Sequence, residues 1–174
     1  MSMACMMTIA FLDVGYRGDA ARAACVLAQS WESDVPRASW VHDMQGVEPY
    51  QPGQFFRREL PGLLAVLRRL PALPDVAVVD GYVWLSAQGR PGLGAHLYQA
   101  LGCCVPVIGI AKSAFKGAAA GALVAPVLRG HARRPLLVTS AGMELPAARQ
   151  AVLQMAGEHR IPEMMKLADR LSRS

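Results

Sequence analysis

Residues 74–82 read PDVAVVDGY. Four consecutive apolar residues, Val76 to Val79, follow a Pro-Asp turn and run directly into Asp80 and Gly81. An uninterrupted apolar run bounded in this way is a strand covered on both faces, the kind found at the centre of a mixed or parallel sheet. A carboxylate at the end of such a strand is costly to desolvate unless it is paired, hydrogen-bonded or holding a cation. The same pattern recurs at 8–16, TIAFLDVGY, where the apolar run ends on Asp13. A third acid, Glu59, lies in PYQPGQFFRRELP at 49–61. Three carboxylates delivered by three separate segments call for an explanation, and a divalent metal is the simplest one.

Working outward, 8–14 (TIAFLDV), 24–29 (ACVLAQ) and 38–43 (ASWVHD) are short strands whose connections contain Gly, Asp and Pro. These connections are too short for helical crossovers, so the three strands form an antiparallel meander. The two-proline turn PYQPG comes next, then a helix predicted from Leu63, Leu64, Leu67 and Leu70, with a break near Pro61. Beyond Asp80, GLGAHLYQALG (92–102) is a second helix with a glycine stop, and PVIGIA (106–111) a second buried strand. A weaker strand at 122–128 and a clearer one at 136–140 (LLVTS) precede two helices, ELPAARQAVLQMAGEH with Pro146 in its first turn, and IPEMMKLADRLSR. Three antiparallel strands, helix, strand, helix, strand and a helical C-terminal part is the order of the α/β ribonuclease H-like fold. It implies a mixed central sheet, three antiparallel strands and then parallel ones, flanked by helices, as a single domain over 1–174.

The 174 residues, 53% of them hydrophobic, suffice for one domain with a real core. Apolar stretches are interrupted before the ~20 residues that a membrane-spanning helix needs. The first residues, MSMACMMTIAFL, lack a basic leader and a small-residue cleavage site, and read as the first strand. The expectation is a soluble, cytoplasmic protein with no membrane partner. Cys5, Cys25, Cys103 and Cys104 have no metal-ligand spacing and read as buried, reduced thiols. The net charge of +5 is uneven: through Asp80 there are 7 Lys/Arg against 9 Asp/Glu, and after it 11 against 4. An acidic cluster in a basic surround suits a metal-dependent enzyme acting on a polyanion, although an ordinary solvated basic face gives the same balance.

The landmarks LDVGY, PYQPGQFFRRELP, PDVAVVDG, GLGAHL, PVIGIAKS, PLLVTSAG and RIPEMMKLAD, in this order from about residue 8 to 171, resemble one family: endonuclease V, metal-dependent nucleases that recognise hypoxanthine (inosine) in nucleic acids. The resemblance implies Asp13 and Asp80 as direct ligands of Mg²⁺, with Mn²⁺ as a substitute, and Glu59 as holder of a metal-bound water. It places Lys112 near the scissile phosphate as a compact positive charge. Pro49, Tyr50, Gln51 and Pro52 correspond to the family's wedge beside the lesion, where an aromatic ring replaces the stacking lost when a base is extruded. Gly53 and Gly81 correspond to backbone positions around that base, and His96 to a packed structural histidine. The implied partner is inosine-containing DNA or RNA.

The chain departs from the family pattern at two positions. Ser86 stands where the family has a histidine six residues beyond the Asp, with Arg90 offered as a partial replacement for a nearby phosphate contact. Met143 stands where the family has a histidine after the glycine, near the scissile phosphate, and a thioether cannot donate a hydrogen bond to phosphate or orient a metal-bound water. The segment between Lys112 and Pro135 is also short. Two functions follow from the sequence: a Mg²⁺-dependent endonuclease, or a catalytically degenerate relative that binds nucleic acid or a modified nucleotide without cutting it. A hydrolase using Ser86 or Ser140 is disfavoured because there is no G-x-S-x-G elbow.

Overall fold

The computed structural model describes residues 6–115 and 121–174, which leaves Cys5 and most of the Ala-Gly run at 117–122 outside. The first two strands, β1 (Ile9–Arg17) and β2 (Ala20–Ala28), form a hairpin with Arg17 opposite Ala20 and Ile9 opposite Ala28. The two-residue turn between them needs Gly18, which sits at φ +62. β3 (Ala38–Met44) pairs antiparallel with β2 and completes the meander. On the other side of β1 lie β4 (Val76–Asp80) and then β5 (Val107–Ala111), both parallel to it. β6 (Ala125–Val127) and β7 (Leu136–Ala141) close the sheet as an antiparallel pair, with β7 antiparallel to β5. The seven strands follow the order β3-β2-β1-β4-β5-β7-β6.

Helices α1 (Phe55–Leu67) and α2 (Leu93–Ala100) cover one face, and α3 (Leu145–Gln154) and α4 (Glu163–Arg173) the other. Alternation along the strands divides the core: Ala10, Leu12, Ala77 and Val79 pack under α1 and α2, while Ile9, Phe11, Val76 and Val78 pack under α3 and α4. β4 is buried from Val76 to Val79, as its unbroken apolar run predicts. Among the described residues no helix is long and apolar enough to cross a membrane.

Two expectations need correction. Helix α1 passes through Pro61 without a break. Proline removes one N–H and crowds the carbonyl four residues back, but that residue, Arg57, is exposed, so the freed carbonyl lies where solvent can satisfy it. Cys103 and Cys104 are exposed rather than buried, because the chain leaves α2 through a turn before it enters β5; among the described residues only Cys25 is a buried thiol.

Candidate active site

Asp13 and Asp80 are brought together by strand register. β1 and β4 pair in parallel with Leu12 opposite Val79, so the next residue on each is the carboxylate. Ile9 and Phe11 on β1, and Val76 and Val78 on β4, face the α3–α4 layer, and the two-residue period turns both acids to that same side. Glu59 arrives from α1, in the opposite layer, and is only 6% exposed. Lys112 is the first residue after β5, and its Nζ lies 2.6 Å from Asp80 Oδ2. These four side chains line one cleft of about 590 Å³, together with Tyr50, Gly53 and Gly81.

The electrostatics are those of crowded anions. Burial pushes the Asp13 carboxyl up to about 6, with the charges of Asp80 and Asp169 adding to the effect and a hydrogen bond from Ser172 opposing it. Glu59 is pushed up to about 9, first by burial and then by Asp13 and Asp80. Ser172 Oγ donates to Asp13 Oδ2 at 2.8 Å. α4 approaches this closely because residue 15 is glycine: a Cβ there would stand 2.4 Å from the Ser172 carbonyl oxygen. Tyr16 also borders the cleft, its ring beneath the Arg58 guanidinium at 3.8 Å from the centroid. Among the described residues Arg58 Nε is buried without a hydrogen-bond partner.

Hard carboxylate oxygens fit Mg²⁺ or Mn²⁺, and a cation would offset both the burial and the added repulsion that push Asp13 and Glu59 toward protonation. Among the described residues no three His, Cys, Asp or Glu side chains are already gathered closely enough to hold a metal ion. Asp80 is engaged by the Lys112 ammonium and Asp13 by the Ser172 hydroxyl, so positive or donor groups of the chain itself satisfy these acids. The donor chemistry therefore fits a divalent ion, with side-chain rearrangement required to close on it.

Pro49, Tyr50, Gln51 and Pro52 form an exposed turn immediately before α1, and Tyr50, 57% exposed, reaches the cleft wall. Gly53 (φ +78) and Gly81 (φ +138) occupy left-handed backbone conformations that side chains resist. The Arg90 guanidinium lies at the rim, where a Cβ on Gly53 would be 3.3 Å from its Nη2. Ser86 closes the turn that leads to Arg90: its Oγ accepts the Arg90 N–H at 3.1 Å and its carbonyl accepts the Gly89 N–H. His96 stacks on Phe56, centroids 3.6 Å apart.

Met143 does not stand at the scissile-phosphate position that the sequence reading gave it. β7 runs antiparallel to β5, with Leu137 opposite Ala111 and Ala141 opposite Val107. Met143, two residues past Ala141, therefore lies at the sheet edge opposite the carboxylates, packed against the α3–α4 core. Motif order along the chain carries no strand direction, which is why the sequence placed it wrongly.

Sequence reasoning also overlooked Asp169. It lines the cleft from α4, and its charge helps to raise Asp13. The available signal was the landmark RIPEMMKLAD, which ends on this acid. Tyr16 ends the landmark LDVGY in the same way, whereas Ser172 and Phe115 gave no comparable signal, since each becomes part of the site only through the packing of distant segments.

Comparison with known proteins shows the family and the fold. The family model described as Endonuclease V matches residues 2–170. Curated relatives include Endonuclease V of Azotobacter vinelandii, 34% identical over 94% of this chain and 81% of that protein, and Endonuclease V of Xanthomonas oryzae pv. oryzae, 32% identical over 94% and 76%. Among solved structures, the Endonuclease V of Streptomyces avermitilis superposes with a TM-score of 0.75 at 29% identity, over 95% of this chain and 79% of that one. Ciona intestinalis Endonuclease V, solved with a 24mer DNA containing an inosine followed by a ribo-adenosine, shares the fold at a TM-score of 0.80 and 20% identity, over 98% and 86%. The match to the family model over nearly its whole length places this chain in the endonuclease V family.

Proposed function

We propose that the protein is a divalent-metal-dependent endonuclease that hydrolyses a phosphodiester bond near inosine in DNA or RNA, with Mg²⁺ as the ion and Mn²⁺ as its substitute, acting as a repair enzyme in the cytoplasm. The observation that carries this reading is the register of β1 and β4, which sets Asp13 beside Asp80 at the edge of a cleft that Glu59 and Lys112 share. Asp13 and Asp80 would hold the ion, with Glu59 as the third carboxylate. When bound, the ion supplies acidification of an attacking water and neutralisation of charge on the phosphate. Lys112 needs only to move its ammonium from Asp80 to the phosphate to place a second positive charge there. Tyr50 offers a ring for stacking at the cleft mouth, and Gly53 and Gly81 let the main chain approach an extruded base.

A second reading, binding without cleavage, is favoured by one specific observation: Ser86, where the family resemblance expects histidine, uses its hydroxyl to close a turn. A nicking assay separates the two. Single- and double-stranded DNA and RNA, each with one inosine, are incubated with Mg²⁺, Mn²⁺ or EDTA. Metal-dependent cutting beside inosine is the expected result; tight binding with no cutting in either metal supports the second reading.

A further inference from the structure

We propose that the turn between β6 and β7, residues 128–135, is a phosphate-binding surface for the nucleic-acid strand where it runs on past Lys112; this rests on the nucleic-acid reading above. Leu137 of β7 lies opposite Ala111, the residue before Lys112, so the turn leading into β7 stands at the carboxylate edge of the sheet. Adjacent strands are roughly 4.8 Å apart, which makes this turn the next strand connection beyond Lys112, among the described residues, in the direction away from Asp13 and Asp80. It carries His131, Arg133 and Arg134, all exposed. Among the described residues neither arginine enters an ion pair.

The turn is held in place with respect to Lys112. Arg129, 6% exposed, donates from its guanidinium to the carbonyls of Met155, Gly157, His159 and Arg160 in the connection between α3 and α4. Arg160, from that same connection, donates to the carbonyls of Arg134 and Pro135, each at 3.0 Å, and to the carbonyl of Lys112. One side chain thus ties the end of the turn to the lysine that faces the phosphate. Gly130, at φ +59, has no room for a Cβ, which would stand 2.2 Å from the Glu158 carbonyl oxygen. A buried arginine is costly unless its donors are satisfied. Here a satisfied one anchors a backbone that presents two unpaired cations beside Lys112. Fixed positive charge in that position suits the neighbouring phosphates of a polyanion and contributes position rather than base selectivity. The short connection between Lys112 and Pro135 leaves this turn as a basic feature of that flank.

The test uses the full chain and the variants Arg133→Gln, Arg134→Gln and both together, which leave Arg129 and Arg160 intact. Binding to short inosine-containing and inosine-free single strands, as DNA and as RNA, is measured from about 50 to 200 mM salt, with thermal melting as the control for folding. Loss of two phosphate contacts should flatten the log–log salt dependence by about 1.4 and weaken binding roughly tenfold, equally with and without inosine. Trimming the strand at one of its two ends should abolish the difference between wild type and the double variant. An unchanged salt slope overturns the proposal, and so does a loss that survives trimming at either end or a wild type that binds no strand. A wild type that binds with this arginine-dependent slope but never cuts would overturn the nuclease reading and leave the surface standing. One that cuts, with the double variant keeping the wild-type slope, would overturn the surface alone.

Discussion

Ser86 and Met143 look alike in the sequence, each a residue without histidine chemistry where the family resemblance expects a histidine, yet the structure separates them. Ser86 stands in the turn between Leu85 of the cleft wall and Arg90 at its rim, whereas Met143 belongs to the core at the far edge of the sheet. A missing hydrogen-bond donor at a phosphate typically costs about 10²–10³ in rate. Ser86→His is therefore expected to raise inosine-dependent cleavage at saturating Mg²⁺ by up to that factor, and Met143→His to leave it unchanged. A gain from Met143→His, measured as single-turnover rate, would contradict this assignment. The acids themselves were legible at this scale because a charge that ends an apolar run has few explanations. Ser172 was not: a Ser near a chain end acquires meaning only when α4 folds over β1.

At the scale of elements, the sequence indicated which strands exist better than how far they extend or which way they run. β2 begins four residues earlier than its apolar pattern suggests, because Ala20 to Ala23 have no strand preference of their own and are recruited by the hairpin with β1. The element order implied parallel strands after the meander, which holds for β4 and β5, whereas β7 runs antiparallel to β5, and that direction decides where Met143 goes. Gly15 shows how an element contact sets the site: the absence of its side chain lets α4 come close enough for Ser172 to hold Asp13. Gly15→Ala forces a methyl group against backbone and is expected to cost about 1–3 kcal/mol in denaturant unfolding, the usual range for overpacking. Cleavage should fall with it as Asp13 loses its partner. A variant with wild-type stability would show that α4 is free to shift and that this contact does not position the acid.

Across the whole molecule, the two charge-biased parts of the chain fold into one arrangement: carboxylates from the first part meet in a cleft that Lys112, from the basic second part, also lines, and the β6–β7 turn stands at the same edge of the sheet. Burial, with the neighbouring carboxylates adding to it, pushes the Asp13 carboxyl up to about 6 and Glu59 up to about 9. A divalent ion binds the deprotonated acids, so its affinity must rise with pH across about 6 to 9, and binding near pH 7.5 must release protons, chiefly from Glu59. The raised values also mean that the metal-free folded chain binds more protons than the unfolded one, between about 4 and 6 at Asp13 and between about 4.5 and 9 at Glu59, so these two acids make the metal-free protein less stable as pH rises through those ranges. The most direct test of the metal centre is calorimetric titration with Mn²⁺ at pH 7.5, in two buffers of different ionisation enthalpy, on wild type and Asp80→Asn. The account predicts saturable binding with proton release by the wild type and none by a folded Asp80→Asn; equal Mn²⁺ binding by the two proteins would contradict it.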